Sequence, residues 1–280
     1  MFLRHATVAV VSTIAVATFA VACGGSSDSS ASSGASGSVV KVGSITGVPP
    51  YEFYAEDGKT VIGYEPELIT EAAKRIGATV EFTVLDFDAL LPGLDSKRFD
   101  VAISGFSDRP ARQAKYDMLD VVNDKFAFVG KAEVASTINT LDDICGRSTG
   151  AVPGGAYVTI FEKQDEKCRA EGKPGVTIQT YDADAQGFLA VKSGQTDFWP
   201  TSLPILADWI EKNPGHAITR ATFLEGPGAM ILRKNDPLVP KLRDAMQSMV
   251  DDGTYGAIMK KWKVESIAVD QIQLNAGKDD

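Results

Sequence analysis

A strand end followed by small hydroxylated residues and an arginine is the part of this chain best suited to chemistry. Residues 101–103 have the apolar character of the end of a buried strand, and Ser104, Gly105 and Ser107 follow at once. Arg112 comes five residues after Ser107, in what reads as the first turn of a helix. Backbone amides and serine hydroxyls donate single hydrogen bonds, whereas a guanidinium donates a planar pair that fits both oxygens of a carboxylate. The segment therefore predicts a carboxylate site; the alternative is an ordinary loop with a surface arginine.

Alternating strand and helix patterns precede this segment. Residues 40–45 and 80–84 read as strands, and residues 64–76 read as a helix that Glu65 could cap and Gly77 ends. A second helix is predicted from Asp86 to about Lys97. This alternation of strands and helices is typical of a parallel α/β sheet, in which ligands bind beyond the carboxyl ends of the strands.

The N-terminus predicts export. Arg4 and His5 precede residues 6–22, which contain no charged residue, so residues 1–22 are predicted to be a signal peptide. Ala20 and Ala22 suit the ordinary signal peptidase, which would release a secreted protein. Cys23 instead resembles the lipid-carrying cysteine of a bacterial lipobox, although Ala20 replaces the usual Leu or Val. Residues 23–38 are accordingly predicted to be a lipidated Cys23 followed by a flexible Ser/Gly linker.

The cysteine count supports the same interpretation. Cys23, Cys145 and Cys168 make an odd number, and acylation of Cys23 would leave the other two as a pair in an oxidising compartment. We therefore predict a disulfide between Cys145 and Cys168, with two free thiols as the alternative. One cysteine pair without a nearby histidine is a poor ligand set, so no metal site is predicted.

Composition narrows the function classes. The 280 residues are 44% hydrophobic and 23% charged, as in a soluble globular protein. The formal net charge of −9 comes without a basic run, which argues against nucleic acid as a partner. No glycine-rich phosphate loop is present, and we expect no cofactor.

An ordered set of motifs then resembles a known family. These motifs are residues 49–53, 63–68, 86–90, 99–105 and Arg112, followed by residues 141–146, 150–155, 181–185, 193–197 and 251–262. Together they resemble solute-binding protein family 3, the polar amino-acid-binding proteins of ABC importers, over roughly residues 39–264.

The resemblance implies a two-lobed periplasmic-binding-protein fold of the α/β class. Each lobe would be a mostly parallel sheet with helices, and two crossing strands near residues 126–129 and 225–228 would join the lobes. Residues 39–126 and 228–280 would form lobe 1, and residues 127–227 would form lobe 2.

The resemblance also implies a function. The protein would be a monomer anchored by Cys23 to the outer face of the bacterial cytoplasmic membrane. It would capture an amino acid or related small carboxylate by hinge closure and deliver it to an ABC permease.

The family pattern assigns roles to individual residues. Arg112 would bind the α-carboxylate of the ligand, Phe87 would pack on the ligand or in the core, and the segment from Gly154 to Tyr157 would donate backbone N–H groups from a helix N-terminus. The predicted ligand-binding residues are Tyr51, Phe87, Ser104, Gly105, Ser107, Arg112, Gly155, Ala156, Tyr157, Thr201 and Ser202. Tyr51 and Trp199 could line the cleft or pack within their lobes.

Two positions depart from the family pattern. Ile45 and Ser202 stand where family members that bind α-amino acids carry acidic residues for the ammonium group. A desolvated ammonium without a carboxylate partner costs several kcal/mol. Either Glu52, Asp86, Asp108 or another acid substitutes from nearby, or the ligand lacks the ordinary α-ammonium.

Two alternative functions remain open at this stage. A ligand-sensing module for a membrane receptor would need the same closure. A dehydratase or hydrolase on the same fold is disfavoured, because His216 is the one histidine beyond the predicted signal peptide and lies in an apparent surface turn. Asp182 and Asp184 read as a solvated loop or helix cap rather than a catalytic pair. We therefore expect a binding protein and not an enzyme.

Overall fold

A computed structural model describes residues 37–278 of the chain. The predicted signal peptide, Cys23 and most of the predicted linker lie outside these residues. The first strand begins at Ser38, so regular structure starts at the last residue of the predicted linker. No helix within residues 37–278 is long and apolar enough to cross a membrane.

Strands and helices alternate along most of the described chain. The strands are β1 (Ser38–Ser44), β2 (Phe53–Tyr54), β3 (Val61–Ile62), β4 (Ala78–Val84), β5 (Val101–Ser107), β6 (Tyr116–Lys131), β7 (Ser148–Ala151), β8 (Thr177–Thr180), β9 (Phe198–Ser202), β10 (His216–Arg233) and β11 (Gln273–Leu274). The helices are α1 (Tyr64–Arg75), α2 (Phe87–Asp95), α3 (Pro110–Gln113), α4 (Ala132–Ala135), α5 (Tyr157–Ala170), α6 (Asp184–Ser193), α7 (Leu203–Glu211), α8 (Leu238–Asp251) and α9 (Thr254–Lys261).

One end of the main sheet is the predicted parallel β/α unit. Strand β1 pairs in parallel with β4 and β5, and α1 and α2 make the connections. Helix α1 buries Leu68, Ile69, Ala72 and Ala73 on one face and is followed by Gly77 at a φ of 75°. That left-handed backbone is accessible to glycine at little cost, which is why the helix ends there.

The other end of the sheet repeats the parallel arrangement. Strand β7 pairs in parallel with β8 and β9, and α5 and α6 lie between these strands in sequence. Trp199 on β9 is fully buried and packs over Gly150 and Gly187, where an added Cβ would come within 2.3 and 2.0 Å of the indole. Trp199 is therefore a core residue of this part of the sheet.

Two long antiparallel strands join these parallel ends. The order across the sheet is β4-β1-β5-β10-β6-β9-β7-β8, with β11 also on β6. Strand β6 has 16 residues and β10 has 18, and each extends from one parallel unit to the other. The crossings predicted near residues 126–129 and 225–228 fall within these two strands.

Two local predictions are wrong. Strand β5 continues to Ser107 instead of ending near Ile103, because Ser107 and Phe106 still pair with β10. Glu65 does not cap α1, since Gly63 occupies the N-cap position and no side chain bonds there. Both Glu65 carboxylate oxygens instead accept the backbone N–H of Gly105, each at 3.2 Å.

The structure joins the two described cysteines. The sulfur atoms of Cys145 and Cys168 lie 2.00 Å apart, as in a disulfide bond. Cys145 follows a short 3₁₀ turn, Leu141–Ile144, and Cys168 lies near the end of α5. The bond thus attaches α5 to the segment that precedes β7.

Candidate functional site

A cavity of about 540 Å³ opens beside the two long strands. Its wall combines the carboxyl ends of β1, β4, β5 and β9 with the first residues of α2, α5 and α6. The eleven residues predicted to bind a ligand all lie on this wall: Tyr51, Phe87, Ser104, Gly105, Ser107, Arg112, Gly155, Ala156, Tyr157, Thr201 and Ser202. Segments as far apart as 51 and 202 are therefore brought to one site, as strand ends in an α/β sheet permit.

Arg112 reaches across this cavity from the short helix α3. Its Nη1 donates to the carbonyl of Ser107 at 2.8 Å and its Nη2 donates to the carbonyl of Gly154 at 3.2 Å. The guanidinium also lies 5.3 Å from the ring centre of Phe106. Burial, and next the charge of Arg109, lower the pKa of Arg112 to about 10, so it is cationic at neutral pH. Since a guanidinium has five N–H donors, three remain for a bound anion.

The start of α5 faces the same space. Helix α5 begins at Tyr157, with Ala156 as N-cap. The Gly155 N–H donates to the carbonyl of Val152 at 3.0 Å, so Gly155 uses its amide within the turn. The amides of Ala156 and Tyr157 lie at the positive end of the helix, where backbone donors lack intrahelical partners. An anion held by Arg112 would therefore be well placed beside α5.

Aromatic residues form part of the wall. The Phe87 ring, at the first position of α2, lies 4.9 Å from the ring of Phe106 and is half-buried. It thus contacts the core on one side and lines the cavity on the other.

Tyr51 and Ser202 meet at a buried acid that sequence reasoning missed. Both hydroxyls donate to the carboxylate of Asp124 on β6, Ser202 at 2.9 Å, and their oxygens lie 2.6 Å apart. The backbone N–H of Lys125 adds a third donor to Asp124 at 2.7 Å. Burial raises the pKa of Asp124, and the hydrogen bonds from Tyr51 and Ser202 oppose that rise. The two residues line the cavity, but their hydroxyls already bind protein.

Glu52 and Glu65 form a second buried acidic group. Glu52 is 1% exposed and accepts a hydrogen bond from Ser104 Oγ at 3.0 Å. Burial raises the pKa of Glu65 to about 7 and that of Glu52 well above its ordinary value. Only Glu52 of the two reaches the cavity wall.

Asp184 lies at a helix start, as one of the two sequence-based alternatives had it, but it is not solvated. It begins α6 on the cavity wall, and its carboxylate accepts a hydrogen bond from Trp199 Nε1 at 2.8 Å. Burial raises its pKa, and the hydrogen bonds from Trp199 and Thr201 oppose that effect. Asp182, two residues earlier, is exposed at the cavity wall.

Three acids were predicted as replacements for the acidic residues that this chain lacks at positions 45 and 202, and they differ in location. Glu52 is buried on the cavity wall, Asp86 is exposed there, and Asp108 lies away from it with its carboxylate bonded to Gly277 and Gln113.

Charge on the wall is unevenly distributed. Among the described residues, Arg112 is the one basic side chain that lines the cavity, against four acids: Glu52, Asp86, Asp182 and Asp184. No group of three or more His, Cys, Asp or Glu residues within 37–278 is arranged to hold a metal ion. His216 lies outside the cavity, with Nδ1 3.3 Å from the carbonyl of Asn213. The arrangement suits a small molecule that carries both a carboxylate and a cationic group.

Known proteins resemble this chain along most of its length. The model of the bacterial extracellular solute-binding proteins, family 3, matches residues 40–265. The L-cystine-binding protein TcyJ of Escherichia coli (strain K12) is 31% identical over 218 residues, which cover 76% of this chain and 78% of that protein. The arginine-binding protein ArgT of Corynebacterium glutamicum is 27% identical over 245 residues, with 85% and 78% covered. A solved structure of an ancestral arginine-binding protein bound to arginine has a TM-score of 0.73 and 28% identity, covering 80% of this chain and 97% of that one.

Proposed function

The chain belongs to the bacterial extracellular solute-binding proteins of family 3, and from that premise we propose that it captures an amino acid outside the cytoplasmic membrane for an ABC permease. The observation that carries this proposal is the placement of Arg112 on the cavity wall, in hydrogen-bond contact with the turn that precedes α5. One carboxylate could accept hydrogen bonds from the guanidinium on one side and from the backbone amides at the start of α5 on the other. The names of the relatives make arginine and cystine the first candidates.

Binding is proposed to work by closure of two lobes. Lobe 1 would comprise residues 39–126 and 228–280, and lobe 2 residues 127–227, with β6 and β10 as the connection. Arg112 in lobe 1 and the α5 N-terminus in lobe 2 would hold the same carboxylate only when the lobes are together. Contacts made in one state alone shift the equilibrium toward that state. The closed protein, as a monomer, would then dock on the permease.

Lipidation of Cys23 is proposed as the membrane anchor. Replacing Cys23 by serine should release the protein from the membrane fraction into the medium, with ligand affinity unchanged. Retention of the Cys23→Ser variant in the membrane fraction would argue against this anchor.

A thermal-shift screen of the purified protein tests the proposed ligand class. The panel holds the common amino acids, L-cystine, their decarboxylated amines and the matching acids without an α-amino group. A ligand that binds only the native state raises the apparent stability with ln(1 + [L]/Kd). We expect amino acids to stabilise the protein and decarboxylated amines to have no effect. Stabilisation by the amines alone would refute the proposed carboxylate site.

A further inference from the structure

Glu52 has a buried oxygen on the cavity wall that the carboxylate-binding part of the site does not use. Oε1 accepts from Ser104 Oγ, whereas Oε2 accepts from no N–H or hydroxyl group of the described residues. The hydrogen bond that the Glu52 carboxyl forms besides that from Ser104 is shared with the carboxyl of Glu65. The adjacent carboxyl of Glu65 offers no hydrogen while it is ionised, so it can bond to Oε2 only if one of the two acids holds a proton. A cation entering from the cavity could replace that proton.

The charges that act on Glu52 are acidic. Glu65, on α1, lies beside it, and Asp184, on α6, is close enough that its charge also raises the pKa of Glu52, although burial is the largest cause. Asp124, on β6, raises the pKa of Glu65 in turn. Arg112 lines the same cavity, but its two hydrogen bonds go to backbone carbonyls. Buried carboxyls without a cationic partner are costly for a fold, and a bound cation would relieve that cost.

We propose that Glu52 and Asp184 bind the cationic group of the ligand, an ammonium or a guanidinium, while Arg112 binds its carboxylate. This inference rests on the proposed function and names the acids that substitute at a site where Ile45 and Ser202 carry no charge. The two carboxyls come from different elements: Glu52 precedes β2, and Asp184 begins α6. Asp184 is oriented by Trp199 Nε1, and Glu52 by Ser104 Oγ.

The proposal restricts the ligand class. A dicarboxylate without an amine would place an anion beside two buried acids. A ligand with one carboxylate and at least one cation would match Arg112 at one position and the acids at another.

Calorimetric titration of four proteins tests the proposal. They are the wild type, Glu52→Gln, Asp184→Asn and the matched control Glu81→Gln, whose parent side chain is exposed and lies outside the cavity wall. The probes are L-arginine, L-cystine and the same compounds without α-amino groups, 5-guanidinopentanoic acid and 3,3′-dithiodipropionic acid. Both amide substitutions can keep accepting from Ser104 or Trp199 while they lose the charge.

We expect Glu52→Gln and Asp184→Asn to weaken binding of the amino acid by about 10- to 100-fold, as for loss of a charge-assisted hydrogen bond. The acid without a cation, 3,3′-dithiodipropionic acid, should bind the wild type weakly and should bind neither variant more weakly, and Glu81→Gln should behave as the wild type. A loss that persists with 5-guanidinopentanoic acid would identify the cation as the guanidinium; a loss confined to the amino acids would identify it as the α-ammonium.

Unchanged amino-acid affinity in both variants would overturn the inference and leave the proposed function intact. Equal losses for ligands with and without a cation would also overturn it, since both acids would then act only through the fold. If Glu52→Gln does not fold, Asp184→Asn decides by the same criteria. A wild type that binds none of the four probes would overturn the proposed function, and this inference with it.

Discussion

Replacing Arg112 by alanine should remove most of the affinity for any carboxylate ligand. The guanidinium uses one N–H on the Ser107 carbonyl at 2.8 Å and one on the Gly154 carbonyl at 3.2 Å. Three donors remain, enough for a bidentate contact with a carboxylate. Hydrogen bonds to charged groups contribute about 1.5–3 kcal/mol each, so a pair corresponds to roughly 10²- to 10⁴-fold in Kd.

Two further substitutions separate the effect of the Arg112 charge from that of its planar geometry, and both from the effect of removing any nearby arginine. Arg112→Lys keeps a positive charge but loses the planar fork, so its affinity should fall between those of the wild type and Arg112→Ala. Arg109→Ala removes an arginine three residues away whose Nη1 donates to the Lys278 carbonyl at 3.0 Å and which does not line the cavity. Affinity in Arg109→Ala should stay within about threefold of the wild type, because long-range surface charge contributes little at physiological salt.

Isothermal titration with the best amino-acid ligand and its decarboxylated amine is the decisive assay. Arg112→Ala should lose affinity for the amino acid, whereas any weak binding of the amine should be unaffected, since the amine has no group for the guanidinium to bind. Circular dichroism of each variant without ligand checks that the fold is retained. Wild-type affinity in Arg112→Ala, or an equal loss in Arg109→Ala, would refute the assignment.

Three predictions concern the stability of the fold. Burial raises the pKa of Asp120, which lies near Asp108, to about 8 against roughly 3.9 in an unfolded chain. Between about pH 4 and about pH 8 the native state binds one more proton than the unfolded chain does. The free energy of unfolding therefore falls as the pH rises through this range. Asp120→Asn should therefore flatten the stability profile in urea unfolding at pH 4.5–8.5, and parallel wild-type and variant profiles would contradict it. The double substitution Cys145→Ser and Cys168→Ser removes a disulfide that closes a loop with a sequence separation of 23. It should lower the free energy of unfolding by about 3 kcal/mol. A loss well under about 1 kcal/mol would show that the disulfide does not stabilise the fold as expected. Tyr51→Phe leaves Asp124 without one of its donors and should cost about 1–3 kcal/mol, whereas the control Tyr54→Phe, at a residue 42% exposed, should cost little.

Local patterns predicted the order of strands and helices well. The faces of β1, α1 and β4 are determined by neighbouring residues, so periodicity in the sequence is enough to find them. The true length of β5 was not predictable in this way, because its last residues are kept in the sheet by β10, where Ser107 pairs with Gly228. Gly228 is distant from Ser107 along the chain, so the local sequence pattern around Ser107 does not predict this pairing.

The grouping of the candidate site residues could be predicted to the extent that they follow strand ends. The eleven predicted residues converge on the cavity because the carboxyl ends of β1, β4, β5 and β9 and the N-termini of α2 and α5 lie along it. Asp124 was missed because its partners Tyr51 and Ser202 are 73 and 78 residues away in sequence. Asp184 was assigned to a cap or loop because an acid at a helix start is common, and only the contact from Trp199 shows where its carboxyl is held.

Asp124 offers a physical reason for the serine at position 202. The Asp124 side chain is 4% exposed and depends on the hydroxyls of Tyr51 and Ser202 as donors. An ionised carboxylate at position 202 could donate nothing and would add a second buried anion within hydrogen-bonding distance of the first. The acid that the family pattern places there is therefore incompatible with an ionised Asp124 in this chain. Negative charge for a ligand cation has to come from elsewhere on the wall, and Glu52 and Asp184 are the two carboxyls that the fold holds there with fixed partners.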